Sequence, residues 1–133
     1  MFDQIVPGLL GENEIVVAEE NTARHLGSGE VSVLATPEMI RLMERAGVAA
    51  VDALLPSGYA TVGVRVDVRH LAATPVGMTV RARAELKAVE GRKLIFEVEA
   101  RDEVELVGAG IHERFIIDVA RFRQRVEDKK SDL

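Results

Sequence analysis

Three polar residues stand where the apolar patterning leads toward a core. Glu44 lies in ATPEMIRLMERAGVAAVDALL, which winds into an amphipathic helix at about 100° per residue. Glu38, Arg41, Arg45 and Asp52 share a polar arc, and Met39, Leu42, Met43, Ala46, Ala50, Ala53 and Leu54 form the opposite stripe. Glu44 belongs to neither set and lies on a flank beside Ile40, Val48 and Val51. A carboxylate there can have a raised pKa, which suits a general base. Composition alone favours the plainer reading, an edge residue reaching solvent. His70 ends a valine-rich run, just before LAATP. It suits proton transfer or a satisfied strand-end histidine. Thr36 precedes Pro37 and has the form of a helix N-cap, a role that accounts for it without chemistry. His25, His112 and Arg114 are weaker candidates, and Glu113 with Arg114 fits a surface ion-pair ladder between strands.

Other chemistries are disfavoured. There is no phosphate-binding glycine loop, and Gly108-Ala109-Gly110 falls inside a predicted strand, where it marks a bend or close approach. No serine occupies a nucleophile elbow, and the three histidines lack metalloprotease spacing, so no metal site is expected. The absence of cysteine excludes disulfides and thiolate ligands. A net charge of −5 disfavours nucleic acid as a partner. The opening MFDQIVPGLLGENE has no basic region before an apolar run, and no segment approaches the length of a membrane span. The expectation is a soluble cytoplasmic protein with no cofactor.

The elements that must position these residues read as one domain over residues 1–133, with a charged tail at about 123–133 that is a frayed short helix or disordered. EIVVAEE (14–20) is a predicted strand, and NTARHLGSGEVSVLA is mostly loop. The helix starts at Thr36-Pro37 and runs to about Leu55, where Pro56-Ser57-Gly58 stops it. Three long alternating segments follow. Val62, Val64, Val66 and Val68 alternate with charge, as do Met78, Val80, Ala82, Ala84 and Leu86, and then Leu94, Phe96, Val98 and Ala100. VGAGIHERFIIDV is the last strand, with turns at Glu90-Gly91-Arg92 and Asp102–Leu106. Such strands present one large apolar face, and only one long helix exists to cover it. The economical α+β solution is an antiparallel sheet wrapped around one central helix, the hotdog fold. Sheet edges and limited coverage by one helix favour a homodimer.

NTARHL, ATPEMIRLMERA, VRHLAATPVGMTV, AELKAVEGRKL and GAGIHERFII occur in that order. Together, from about Asn21 to Phe122, they resemble the fluoroacetyl-CoA thioesterase-like branch of the hotdog superfamily. The resemblance implies a threonine, a glutamate and a histidine at the site, which fall on Thr36, Glu44 and His70, with Gly63 and Arg114 nearby as substrate-binding or oxyanion groups. The fluoroacetate-detoxifying member carries a phenylalanine-rich lid before its threonine, whereas this chain has GSGEVSVL. A tryptophan after the helix glutamate is replaced by Arg45. The resemblance therefore implies thioester hydrolysis and leaves fluoroacetyl selectivity open.

The implied reaction is hydrolysis of a small or medium acyl-CoA, with the CoA thioester as substrate. Glu44 would act as base or nucleophile, Thr36 would orient the water or carbonyl, and His70 would transfer a proton. Helix N-terminal N–H groups or the Gly63 backbone would form an oxyanion hole. Arg81, Arg83, Lys87, Arg92 and Lys93 offer positive charge for CoA phosphates, although a solvated strand face accounts for each. A hotdog hydratase or dehydratase and a non-catalytic acyl-CoA-binding domain remain alternatives. Thr36 and Glu44 are separated by about 12 Å along one helix, so their side chains should not bond within one chain. Substrate or water could bridge them, or they could meet across a dimer interface, which is the favoured reading.

Overall fold

The computed structural model describes residues 1–133. Its elements in chain order are β1 (Leu10–Val16), α1 (Ala23–Leu26), α2 (Thr36–Val51), β2 (Tyr59–His70), β3 (Thr79–Glu90), β4 (Lys93–Arg101), β5 (Leu106–Asp118) and α3 (Val119–Ser131). The five strands form one antiparallel sheet in the order β1-β3-β4-β5-β2, and α2 packs chiefly against β1 and β3. This is the expected hotdog arrangement.

Period-two patterning correctly identifies the core of the sheet. Val80, Ala82, Ala84, Leu86, Leu94, Phe96, Val98 and Ala100 are all buried. They meet Met39, Leu42, Met43, Ala46, Ala50 and Val51 of α2. Complete burial of one large apolar side chain among these contributes roughly 1.5–3 kcal/mol.

The helix starts as expected but is capped differently. Ala35, in extended conformation, is the N-cap and makes no side-chain bond, while Pro37 sits in the first turn. Thr36 is already helical, so its hydroxyl caps nothing. After Val51 the chain tightens into a single 3-10 turn, Asp52–Leu54. That change of pitch leaves Ala53 exposed and turns Asp52 toward Thr61 instead of along the polar arc.

The first strand lies earlier than expected, because close helix packing outweighs β-branched propensity there. A Cβ on Gly11 would collide with the backbone of Ala46 and Ala50, so only glycine lets β1 run this close beneath α2. Residues 19–21 form a 3-10 turn. The expected loop contains α1, capped by Thr22, whose hydroxyl accepts from the His25 N–H at 3.2 Å. The tail is helical through Ser131, with Asp118 accepting from the Arg121 N–H at 3.2 Å as its N-cap.

β2 departs most from the simple pattern. It is an edge strand, and Val64 and Val66 are 55% and 39% exposed rather than covered by the helix. The register against β5 slips at Val64: Gly63 pairs with Arg114, but Arg65 pairs with Glu113. A bulge of one residue reverses which side chains face inward beyond it. Gly63 and His70 would otherwise point to opposite faces. With the bulge, both lie on the helix side, paired with Arg114 and Gly108.

Candidate active site

The predicted site residues gather into two clusters rather than one. At the N-terminus of α2, Thr36 Oγ1 lies 2.7 Å from His70 Nδ1. The end of β2 thus delivers an imidazole to the start of the helix. Thr36 is exposed, whereas His70 Nε2 is buried and has no hydrogen-bond partner. Burial pushes the His70 imidazole below its ordinary pKa, against a weaker upward pull from the Ala72 backbone. A neutral imidazole has one donor and one acceptor nitrogen, so Nδ1 can accept the Thr36 proton. Thr36, Pro37, His70, Val33, Leu34 and Leu71 line part of a cleft of about 440 Å³. Its apolar walls and three polar side chains, Ser28, Thr36 and His70, suit a small organic ligand.

The second cluster lies further along α2. Glu44 is 43% exposed, and its Oε2 stands 3.7 Å from Nη1 of Arg114, which is only 7% exposed. That separation is an ion pair but not a hydrogen bond. Gly63 faces both groups: a Cβ there would lie 2.6 Å from Glu44 Oε2 and 3.4 Å from Arg114 Nη1. Gly47 makes equivalent room on the helix, where a Cβ would lie 3.2 Å from Arg114 Cδ.

Arg114 is therefore not part of a surface ladder. Only its neighbour is, since Glu113 pairs with Arg65 at 2.9 Å on the opposite face. Strand alternation separates the two. The Arg114 Nε–H donates to Thr61 Oγ1 at 2.8 Å, Nη2 donates to the Thr61 carbonyl at 3.0 Å, and Nη1 donates to His112 Nε2 at 3.1 Å. An arginine only donates, so His112 Nε2 must accept. His112 Nδ1 then carries the proton and donates to the Arg65 carbonyl at 2.8 Å. Burial leads the factors that hold His112 below its ordinary pKa, and the Arg114 charge adds to it. Burial also lowers Arg114, opposed first by Asp52 and then by Glu44.

In the sequence His112 is only a weak candidate, and nothing there assigns Asp52, Thr61 or Gly47 to this site. The signal available was the inward parity shared by His112 and Arg114 on β5. Elsewhere, several of the basic residues considered for CoA phosphates are paired. Arg81 meets Glu14 at 2.9 Å, Lys87 meets Glu85 at 3.1 Å, and Lys93 meets Glu90 at 3.4 Å. Arg92 lies over the rings of Phe2 and Tyr59. No helix is long and apolar enough to cross a membrane, and no group of three or more His, Cys, Asp or Glu is arranged to hold a metal.

The chain is similar to known proteins in both sequence and fold. The model of the fluoroacetyl-CoA-specific thioesterase family matches residues 17–120. The fluoroacetyl-CoA thioesterase of Streptantibioticus cattleyicolor is 42% identical over 123 residues, covering 88% of each chain. A solved structure of a fluoroacetyl-CoA thioesterase superimposes with a TM-score of 0.87 at 40% identity, over 94% of this chain and 97% of that one. A hypothetical protein of Thermus thermophilus, described as a thioesterase superfamily member, is 33% identical with a TM-score of 0.87, over 97% and 98% of the two chains. A hot-dog-like protein from Thermanaerovibrio acidaminovorans, 24% identical with a TM-score of 0.88 over 96% and 94% of the chains, supports the fold alone. The chain belongs to the fluoroacetyl-CoA-specific thioesterase family and has its hotdog fold.

Proposed function

We propose that this protein is an acyl-CoA thioesterase that hydrolyses a small or medium acyl-CoA to the free acid and CoA. The observation that carries this reading is the 2.7 Å Thr36–His70 pair beside an apolar cleft. Family membership supports the reaction class. Hydrolysis of a thioester needs a nucleophile and stabilisation of the developing oxyanion. The thiolate leaves with little help, because an ordinary thiol has a pKa near 8.5.

In the proposed mechanism, Glu44 takes a proton from water as water attacks the thioester carbonyl, or its carboxylate attacks directly to form a mixed anhydride. Thr36 orients the water by accepting from it while donating its proton to His70 Nδ1, or orients the carbonyl by donating to it while accepting from the other tautomer of His70. The Gly63 backbone and Arg114 steady the negative oxygen. The Thr36–His70 geometry also favours a second reading, with Thr36 as nucleophile and His70 as its base. A single turnover in ¹⁸O-water, sampled by rapid quench and again at completion, tests these routes. Acyl mass on Thr36 in the quenched sample marks a Thr36 acyl-enzyme, ¹⁸O in Glu44 at completion marks an anhydride opened at its Glu44 carbonyl, and labelled acid with neither mark is the result expected of direct water attack.

The two clusters are best united in a homodimer, with Thr36 and His70 from one chain facing Glu44 and Arg114 of the partner subunit. The exposed valines on edge strand β2 support this assembly. Thiol release measured across acyl-CoA chain lengths tests the activity. Release that peaks at a short or medium chain is the expected result. A change in double-bond absorbance without free thiol would indicate a hydratase or dehydratase, and saturable binding without turnover would indicate a binding domain.

A further inference from the structure

We infer that Asp52 and Thr61 are positioning residues that hold Arg114 just short of Glu44, leaving the Glu44 carboxylate free to react. This inference rests on the thioesterase reading above. Thr61 Oγ1 is 2.6 Å from Asp52 Oδ1 and 2.8 Å from Arg114 Nε. A hydroxyl has one proton, and arginine has no acceptor. The Thr61 proton must therefore go to Asp52, and the Thr61 oxygen must accept from Arg114. Asp52 also takes the Thr61 backbone N–H at 3.2 Å, so one carboxylate grips Thr61 at two points.

The grip passes to Arg114 through Thr61 Oγ1 and the Thr61 carbonyl, while His112 takes a third donor. All three direct acceptors are neutral. The negative charges that support the buried guanidinium are Asp52, behind Thr61, and Glu44. A buried cation without compensation is costly, and an arginine free to move would form short paired bonds to the nearest carboxylate. Glu44 would then be locked as a counter-ion. With Asp52 and Thr61 in place, the Arg114–Glu44 separation stays at 3.7 Å and Glu44 remains partly open to solvent. The 3-10 turn that follows Val51 brings Asp52 to this post.

The test compares Thr61→Ser, Thr61→Val and Asp52→Asn, with Asp52→Glu as a milder displacement of the same charge. Steady-state thiol release is measured on the acyl-CoA that the parent protein hydrolyses fastest, and melting temperature confirms folding. Thr61→Ser should stay within about threefold of the parent. Thr61→Val and Asp52→Asn should each lower kcat by at least about tenfold with KM within about threefold, because small misplacements of polar groups are costly in catalysis. The double variant should be no worse than either single one, since both act through one chain of bonds. In parallel, the Arg114 Nε–H proton should exchange slowly in the parent and rapidly in Thr61→Val. Should Thr61→Val and Asp52→Asn fail to fold, Asp52→Glu must show the kcat loss alone. Folded variants with unchanged kcat overturn the inference, as does rapid Arg114 Nε–H exchange in the parent. If the parent releases no thiol from any acyl-CoA, the thioesterase reading fails, and the exchange measurement still decides whether Asp52 and Thr61 fix Arg114.

Discussion

The Thr36 hydroxyl bonds across the fold to His70 Nδ1 at 2.7 Å instead of capping the helix it begins. With the cap supplied by the Ala35 backbone, the threonine is available for chemistry. Thr36→Val should therefore lower thiol release by about 100-fold, the scale of a lost proton-transfer group. Its stability cost should be no more than about 1.5 kcal/mol, that of one hydrogen bond. Thr36→Ser should retain most activity. Denaturant melts alongside thiol release check this, and a large loss of stability with normal turnover would restore the capping role.

Gly63 and Gly11 both leave no room for a side chain, but with different consequences. A Cβ on Gly63 meets the flexible end of Glu44, whereas one on Gly11 meets the backbone of α2. Gly63→Ala should fold with little change in melting temperature and lose at least about tenfold in thiol release as Glu44 is displaced. Gly11→Ala should destabilise by about 1–3 kcal/mol or more, as overpacking does. Melting curves and thiol release on both variants make the comparison.

Acidification should weaken the fold through His70 and His112. Burial lowers both imidazoles in the folded state, so between their folded values and about 6.5 the unfolded chain binds more protons. Their contribution is fully present above that range and is lost as pH falls through it. Asp102 acts in a different range. Burial raises its carboxyl, but bonds from the Val104 and Glu105 N–H groups and the Thr74 hydroxyl hold it below its ordinary value on balance. Its contribution is lost only at more acidic pH, as its own lowered pKa is crossed. Melting temperature should fall between pH 7.5 and 5.5, and His112→Gln should flatten that fall. A melting temperature that holds or rises on acidification would contradict the assignment.

The valines exposed on β2 make an oligomer measurable. Val64→Lys should convert a dimer to a monomer by light scattering and abolish thiol release, because a charge on an edge strand opposes strand pairing. A Val64→Lys monomer with full activity would show that one chain carries the whole site.

The sheet core was legible because Val80 to Leu86 and Leu94 to Ala100 keep strict alternation, and burial follows it. Thr36, Glu44, His70, Gly63 and Arg114 were legible as a set only through resemblance. Periodicity alone made Glu44 an edge residue and Thr36 a cap. Three features lay beyond local pattern. The bulge at Val64, which puts Gly63 and His70 on one face, is a property of β2–β5 pairing. The redirection of Asp52 depends on a tightened last turn, and the placement of β1 depends on helix contact at Gly11. The roles of Thr61 and His112 follow from bonds across strands that no spacing in the sequence encodes.

In the proposed dimer, Thr36 with His70, and Glu44 with Arg114, form one thioester-hydrolysing centre across two subunits. The most direct test purifies a doubly tagged heterodimer of one Thr36→Val chain and one Glu44→Gln chain, each inactive as a homodimer. In a two-fold dimer with shared centres, one centre of the two keeps both native residues. The heterodimer should then release thiol at about half the native rate per dimer. A heterodimer as inactive as its two parents would contradict the shared centre.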